Sequence, residues 1–339
     1  MSDPRGESGR VTILDIARAT GVSKSSVSRF LDERGPVSSS PAAQLVRRVA
    51  AELGYVRDIS AANLRRGSTG LIGVIVPRLT DTVMAMFYES LARAANRVQR
   101  FTIVATTDDD AGASRRAADM LTARGVDGLI LSTTRTGDGV AQALSLARVP
   151  FVLALRTDGV QSSSVGDDRL GGYLAARHLI DLGHQRIGVI AGPEDASSAV
   201  DRVGGYRQAM TEAGLEIRPD WIVPSTFGLD AGHQAARQLM GLSERPTAIF
   251  AINDNTAIGA LSALTRLGLR VPEDVSVVGY NDIPIVSHLP TPLTTVRTPF
   301  DQIATTALEM LIDGSASAGA IHRAAPTLIP RQSTSRPSR

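Results

Sequence analysis

The chain contains no cysteine among its 339 residues. That excludes disulfides, thiol chemistry and any zinc site built on thiolates. Its five histidines are scattered and give no metal-ligand spacing of the H-E-x-x-H kind. Neither a metal nor a cofactor is expected. No apolar run approaches the length that spans a bilayer, so no membrane partner is expected either. The opening residues, Met1-Ser2-Asp3-Pro4-Arg5-Gly6-Glu7, lack the basic-then-apolar pattern of a signal peptide, and a cytoplasmic location follows as the expectation. Lysine is almost missing too. Lys24 stands alone, and every other basic side chain is an arginine.

What is present suits a soluble globular protein of two or three domains: 43% hydrophobic residues in a chain this long. The net charge of +2 is unevenly spread. Residues 1–66 hold 11 Lys/Arg and 7 Asp/Glu, a balance of +4, and the remainder holds 25 and 27, a balance of −2. A basic small head on a slightly acidic body fits a head that binds a polyanion. The excess is modest and is equally what a solvated surface carries.

Residues 11–32 read as two short helices about a tight turn. Thr12 is a good N-cap, and Asp15 three residues on can reach back to the free first-turn amides. Ile13, Ile16, Ala17 and Thr20 recur at helical spacing and give the first helix an inward face. Gly21 supplies the left-handed position that ends it. Ser23 caps the second helix, whose inward stripe is Val27 and Leu31. Lys24, Ser25, Ser28, Arg29 and Asp32 are left pointing outward or sideways. A helix-turn-helix places the start of its second helix in the DNA major groove. Lys24 and Ser25 would meet base edges, and Arg29 could reach guanine or a phosphate. A plain helical pair with a polar face would show the same pattern.

This stretch, with Val37-Ser38, Leu53-Gly54-Tyr55 and Leu64 at their spacing, resembles the headpiece of the lactose-repressor (LacI/GalR) family of bacterial transcriptional regulators. The resemblance runs to the C-terminus. It implies an α/β protein: an all-α helix-turn-helix headpiece and hinge helix, then a two-lobed periplasmic-binding-protein-like (type I) core of doubly wound parallel sheets. The DNA-contacting set it implies is Thr12, Ser23, Lys24, Ser25, Ser26, Ser28, Arg29, Ala61, Leu64 and Arg65. Leu64 would wedge into the minor groove beside its dimer mate, the device of DNA-bending proteins.

Taken in order, residues 1–10 read as a disordered tail and 11–56 as the headpiece. Its third helix runs from Pro41 to Leu53, with Leu45, Val49 and Leu53 (and Val46) as the apolar stripe. Three short helices bury little area, so the head should be marginally stable. Residues 57–69 are weakly helical and form the hinge or a plain linker. From residue 70 the pattern becomes strand, helix, strand. Leu71–Val76, Phe101–Ala105, Gly128–Leu131, Phe151–Leu155, Ile187–Ile190, Ala248–Ile252 and Val275–Val278 are continuous apolar runs, as parallel strands covered on both faces should be. Two similar openings, Leu71-Ile72-Gly73-Val74 and Arg186-Ile187-Gly188-Val189, suggest two related lobes. The core is expected over 70–332: a first lobe of about 70–167 plus 298–325, and a second of about 168–297 plus 326–332. A last short strand near Pro326–Pro330 and a disordered tail over 333–339 close the chain. No heptad repeat follows, so a homodimer is expected rather than a tetramer.

In open α/β sheets ligands bind at the carboxyl ends of the strands. The polar residues just past each strand include Thr80, Asp81, Asp108, Asp109, Arg156, Arg202, Asn253, Asp254, Asn281 and Asp282. Asn and Asp suit sugar hydroxyls, and Arg holds a hydroxyl pair or an anion. Any one of them could equally be a helix cap or an ion-pair partner. The resemblance selects Thr80, Asp81, Asp108, Arg156, Arg202, Phe227, Asn253, Asn281 and Phe300 as effector-binding. Several positions depart from the family pattern: Asp81-Thr82-Val83-Met84 replaces Asn-Pro-Phe-Phe, Leu155 replaces an acid, and Arg169 replaces Asn. In the head, Ala42-Ala43 replaces Thr-Arg and Arg57 stands where proline is usual.

The resulting expectation is a repressor with no catalytic residues. It would bind a pseudo-palindromic operator in double-stranded DNA under allosteric control by a small molecule. A sugar or polyol is the first expectation for that molecule and a nucleoside the second. A solute-binding protein of the same core fold would leave the first 66 residues unexplained. A Rossmann-type enzyme fails because neither glycine-bearing strand leads into G-x-G-x-x-G, and no P-loop is present.

Overall fold

A computed structural model of the chain describes residues 11–31, 38–55, 68–314 and 319–338. The hinge positions Ala61, Leu64 and Arg65, and the tail 1–10, lie outside the described residues. The chain divides into two units, residues 1–69 and 70–339.

The first unit holds three helices, α1 (Ile13–Thr20), α2 (Lys24–Phe30) and α3 (Pro41–Glu52). Both the amide and the hydroxyl of Thr12 donate to Asp15 Oδ2, at 2.9 and 2.7 Å. Gly21, at φ 67°, ends α1. Ile16, Val27, Val46 and Ala50 form the core. Four small-to-medium side chains at about 1.5–3 kcal/mol each for the larger ones make a small core. The inward stripe of α3 is Ala43, Val46 and Ala50; Leu45 and Leu53 are exposed, contrary to the expected stripe. Val46 and Ala50 on this face pack with Ile16 of α1 and Val27 of α2. A periodicity of large residues alone points one position off.

The second unit holds two six-stranded sheets. The first lobe contains β1 (Leu71–Val76), α4 (Thr82–Arg97), β2 (Phe101–Thr106), α5 (Ala111–Ala123), β3 (Gly128–Leu131), α6 (Val140–Leu146), β4 (Phe151–Ala154) and β5 (Ser163–Gly166). The second contains α7 (Asp168–Asp181), β6 (Ile187–Ile190), α8 (Ser197–Glu212), β7 (Ile222–Val223), α9 (Leu229–Met240), β8 (Ala248–Ala251), α10 (Asp254–Arg266), β9 (Ser276–Asn281) and β10 (Thr294–Arg297). The chain then returns to the first lobe for α11 (Phe300–Asp313) and β11 (Ile321–Ala324), and ends with β12 (Thr327–Ile329) in the second. The sheet orders are β11-β5-β4-β3-β1-β2 and β12-β10-β9-β8-β6-β7. All pairings are parallel except β12 against β10. The two similar openings are β1 and β6, which occupy equivalent places in their sheets. The chain crosses between lobes three times, at 166–168, 297–300 and 324–327.

Three features differ from the sequence reading. First, β2 is an edge strand with Phe101 at 64% exposure, not a strand covered on both faces. Second, β5, β7, β10 and β11 were not legible as apolar runs. β5 and β10 bury hydroxyls instead: Ser164 donates to the Ile303 carbonyl (2.9 Å) and Thr295 to Asp254 (2.6 Å). Third, residues 333–338 are not a free tail. Ser333 is fully buried; its Oγ accepts from Thr294 N (2.8 Å) and donates to the Val277 carbonyl (2.6 Å). His178 bonds Thr334 (2.9 Å), and His184 bonds the Ser335 carbonyl (2.8 Å). A polar Ser/Thr run reads as solvated until these tertiary partners are known.

Candidate functional site

In the head, Ser23 caps α2: its Oγ accepts from Ser26 N (3.3 Å) and donates to Ser26 Oγ (3.0 Å). Lys24, Ser25 and Arg29 are exposed, while Ser26 and Ser28 are half-buried. The Arg29 guanidinium lies 5.4 Å from the Phe30 ring centroid. Arg47 turns inward and donates to the carbonyls of Phe30 and Ser38, tying α3 to the end of α2. The exposed face of α2 therefore carries two cations and hydroxyls on a braced helix, which is what groove binding needs.

In the second unit a cavity of about 560 Å³ opens between the two sets of strand ends. That is the size of small-molecule sites. Thr80, Asp81, Asp108, Arg156, Arg202, Phe227, Asn253, Asn281 and Phe300 all line it. They are not equivalent. Thr80 and Asp108 are exposed, and Asp108 reaches only Arg78 (3.8 Å). Its neighbour Asp109 is the more buried carboxylate, at 15% exposure. Asp109 holds Arg156 at 3.2 Å and Arg135 at 3.2 Å. Sequence reasoning also missed Arg135, Asp168 and Asn255 as parts of this wall. Arg135 lies four residues past β3, too far along its loop to be read as a strand-end residue.

Arg202, like Arg156, is buried. Its Nε donates to Asp168 Oδ1 and its Nη1 to the Ile252 carbonyl, both at 2.8 Å, and its guanidinium lies 3.7 Å from the Tyr280 ring centroid. Burial pushes the Asp168 carboxyl above the usual range, and the Arg202 charge opposes that shift. The pair forms because α7 and α8 cross at their backbones. A Cβ on Gly172 would sit 1.9 Å from the Arg202 carbonyl oxygen, and one on Gly205 would sit 1.9 Å from that of Arg169. Only glycine allows that approach.

Asn253 caps α10: its Oδ1 accepts from Thr256 N (2.9 Å), and its Nδ2 donates to the Phe227 carbonyl (3.0 Å). It thereby fixes the loop that presents the Phe227 ring. That ring faces the Arg156 guanidinium at 5.3 Å, across the lobes. Asn281 donates to Thr298 (3.0 Å) at the second lobe crossing. Asp81 caps α4 through Val83 N (3.1 Å) and accepts from Asn255 of the other lobe (3.2 Å); burial raises its carboxyl above the usual range. Beneath the cavity, Asp254 is fully buried and accepts from Thr295 and Ile283 N (2.8 Å); burial pushes it up to about 7.

Several of these positions adopt strained backbone. Asp108, Asp109, Leu155, Asn281 and Asp282 all have positive φ, between 50° and 105°. Leu155 is the most costly, since a branched apolar side chain gains nothing there; such a residue costs of order 1–3 kcal/mol. Among the described residues, no cluster of His, Asp or Glu could hold a metal ion, and no helix is long and apolar enough to cross a membrane.

Comparison with known proteins adds the following. Residues 12–58 match the family described as bacterial regulatory proteins, lacI family, and residues 176–334 match the periplasmic binding protein-like domain. The chain is 35% identical over 306 residues to the ribose operon repressor of Haemophilus influenzae, covering 89% of this chain and 91% of that protein. It is 30% identical over 309 residues to the HTH-type transcriptional repressor PurR of Photobacterium profundum, covering 89% and 91%. Among solved structures, the lac repressor dimer bound to operator and the anti-inducer ONPF superimposes with a TM-score of 0.86 at 27% identity, covering 96% of this chain and 99% of that one. A transcriptional regulator CelR–cellobiose complex superimposes with a TM-score of 0.74 at 30% identity, covering 96% and 100%.

Proposed function

Because the chain belongs to the LacI family of bacterial regulatory proteins, a family of DNA-binding repressors and not of enzymes, we propose how it works and what it senses. Two heads of a homodimer read a pseudo-palindromic operator through Lys24, Ser25 and Arg29. Thr12, Ser23, Ser26 and Ser28 brace or contact the backbone, and Ala61, Leu64 and Arg65 contribute from the hinge. A small neutral polyhydroxylated molecule, a sugar or polyol, binds between the lobes and changes operator affinity. The two states are coupled reciprocally, by typically about 1–3 kcal/mol.

One observation carries the ligand class. The cavity has four arginines, and each already has a carboxylate: Arg78 with Asp108, Arg135 with Asp109 and Asp195, Arg156 with Asp109, and Arg202 with Asp168. Among the described residues of the wall, the three less exposed arginines, Arg135, Arg156 and Arg202, are each held by a carboxylate at 3.2 Å or less, and only the exposed Arg78 is loosely paired. Guanidinium and carboxylate groups can still hydrogen-bond hydroxyls, and Phe227 and Phe300 add apolar surface to the wall. The ribose operon repressor and the cellobiose complex among the relatives support this reading; a nucleoside is the second reading, which the same wall and Phe227 ring accommodate.

The test is a thermal-shift panel of neutral sugars, polyols, nucleosides and sugar phosphates. A ligand at 100 times its dissociation constant adds about 2.7 kcal/mol of stability. A neutral polyhydroxylated compound should raise the melting temperature, and Phe227→Ala should remove the shift. A response confined to phosphorylated compounds would overturn the neutral-ligand reading.

A further inference from the structure

The two lobes touch beside the cavity through a cluster separate from the deep Arg202 pair. Arg135 Nη1 donates to both oxygens of Asp195 in the second lobe, at 2.6 and 2.8 Å. Next to it, Thr136 N donates to the Asp195 carbonyl (2.9 Å) and Thr157 N donates to Ser197 Oγ (2.9 Å). The other end of the Arg135 guanidinium, Nη2, donates to Asp109 at 3.2 Å, and Asp109 also holds Arg156. Arg135 Nε is buried with no hydrogen-bond partner. The guanidinium is thus fixed by its two Nη groups while its third donor is left unsatisfied, which costs free energy. An arrangement that keeps such a donor is held by the demands of its ends.

We propose that Arg135 is a positioning residue that couples closure of the lobes to the ligand-facing arginine Arg156, through the Asp109 carboxylate that the two share. Arg135 itself sits on the cleft wall but need not touch the ligand. Asp109 has two oxygens and two cations to serve. When a ligand acceptor engages Arg156 and draws it from Asp109, the carboxylate turns to Arg135 and holds it in line with Asp195. The lobes are then clasped on the side where Thr136 and Thr157 meet the second lobe. With no ligand, Arg156 competes for Asp109 and the clasp is looser. The ligand half of this mechanism rests on the cleft being the effector site; the clasp itself does not.

The clasp is half-exposed, with Arg135 at 27% and Asp195 at 44%, so its effect is that of a modest ion pair. It shifts a closed population by roughly two- to five-fold.

Hydrogen exchange of the ligand-free full chain, read by mass spectrometry, tests it. Thr157 belongs to neither residue of the pair, and its amide is protected only by the other lobe. Arg135→Gln and Asp195→Asn should each speed exchange at Thr157 by roughly two- to five-fold. The double variant should be no faster than either single one. Arg135→Lys should fall between wild type and Arg135→Gln, because an ammonium keeps the charge but is too compact to span Asp195 and Asp109 as the two Nη groups of the guanidinium do. Amides of β1, in the same spectra, should be unchanged and so separate opening from loss of fold. Unchanged Thr157 exchange, additive singles, or a Lys variant as fast as Gln would overturn the proposal. Because no ligand is present, failure here leaves the sugar-binding reading standing, and a silent thermal-shift panel leaves the clasp standing.

Discussion

Asp168 and Arg202 meet at 2.8 Å in the cavity wall because Gly172 and Gly205 let their helices cross at backbone contact. Local helix packing and a buried charge pair of the site are therefore one arrangement.

Breaking this pair by halves should cost more than removing it. Arg202→Met or Asp168→Asn alone leaves an uncompensated buried polar group, at about 3–5 kcal/mol. Replacing both, as Asp168→Leu with Arg202→Met, should recover much of that loss. Urea unfolding of the four proteins checks it. Single variants that cost under about 1 kcal/mol would contradict a paired, desolvated site.

Gly172→Ala separates packing from propensity. Helix propensity alone predicts a gain of up to about 1 kcal/mol. The 1.9 Å approach to the Arg202 carbonyl predicts a loss of about 3 kcal/mol or more, with ligand response lost too. Thermal melts decide between the two signs.

Acidification should loosen the C-terminal segment. Burial holds both His178 and His184 below the usual imidazole range. Their neutral forms bond Thr334 and Ser335, so this stability is present above pH 6.5 and is lost as pH falls through 6.5 toward the lower folded values. The limiting slope is about 1.4 kcal/mol per pH unit for each group. Asp254 works oppositely: raised to about 7, it contributes most below its unfolded value of 3.8 and loses that contribution as pH rises to 7. The difference between wild type and His184→Gln isolates the imidazole. That difference should shrink from pH 7.5 to pH 5.5, and a constant difference would refute it.

The sequence exposed the site further than the fold that carries it. Thr80, Asp81, Asp108, Arg156, Arg202, Asn253 and Asn281 could be named because parallel strands announce themselves as apolar runs and place their next polar residues at the cleft, whereas Phe227 and Phe300 followed only from the family resemblance. Asp108 was preferred over Asp109 because only the turn, with both residues at positive φ, decides which carboxylate points in. Arg135 and Asp168 were invisible for a similar reason: their roles depend on a partner some 26 to 60 residues away. Strands β5 and β10 were missed because buried Ser and Thr look like loop residues until Ile303 and Asp254 are seen to satisfy them.

In the head, Lys24→Ala should relax base preference, and Arg29→Ala should weaken binding and flatten its salt dependence. Each lost phosphate contact reduces the slope of log K against log salt by about 0.9. Anisotropy titrations of DNA selected from a random duplex pool, repeated across salt, measure both. A salt-independent affinity would contradict the groove-binding reading of α2.

The most direct measurement is operator affinity with and without the compound that shifts the melting temperature. On the selected duplex, saturating ligand should change the dissociation constant by roughly 5- to 150-fold, and saturating duplex should change ligand affinity by the same factor. Equal operator affinities in the presence and absence of a bound ligand would contradict the account.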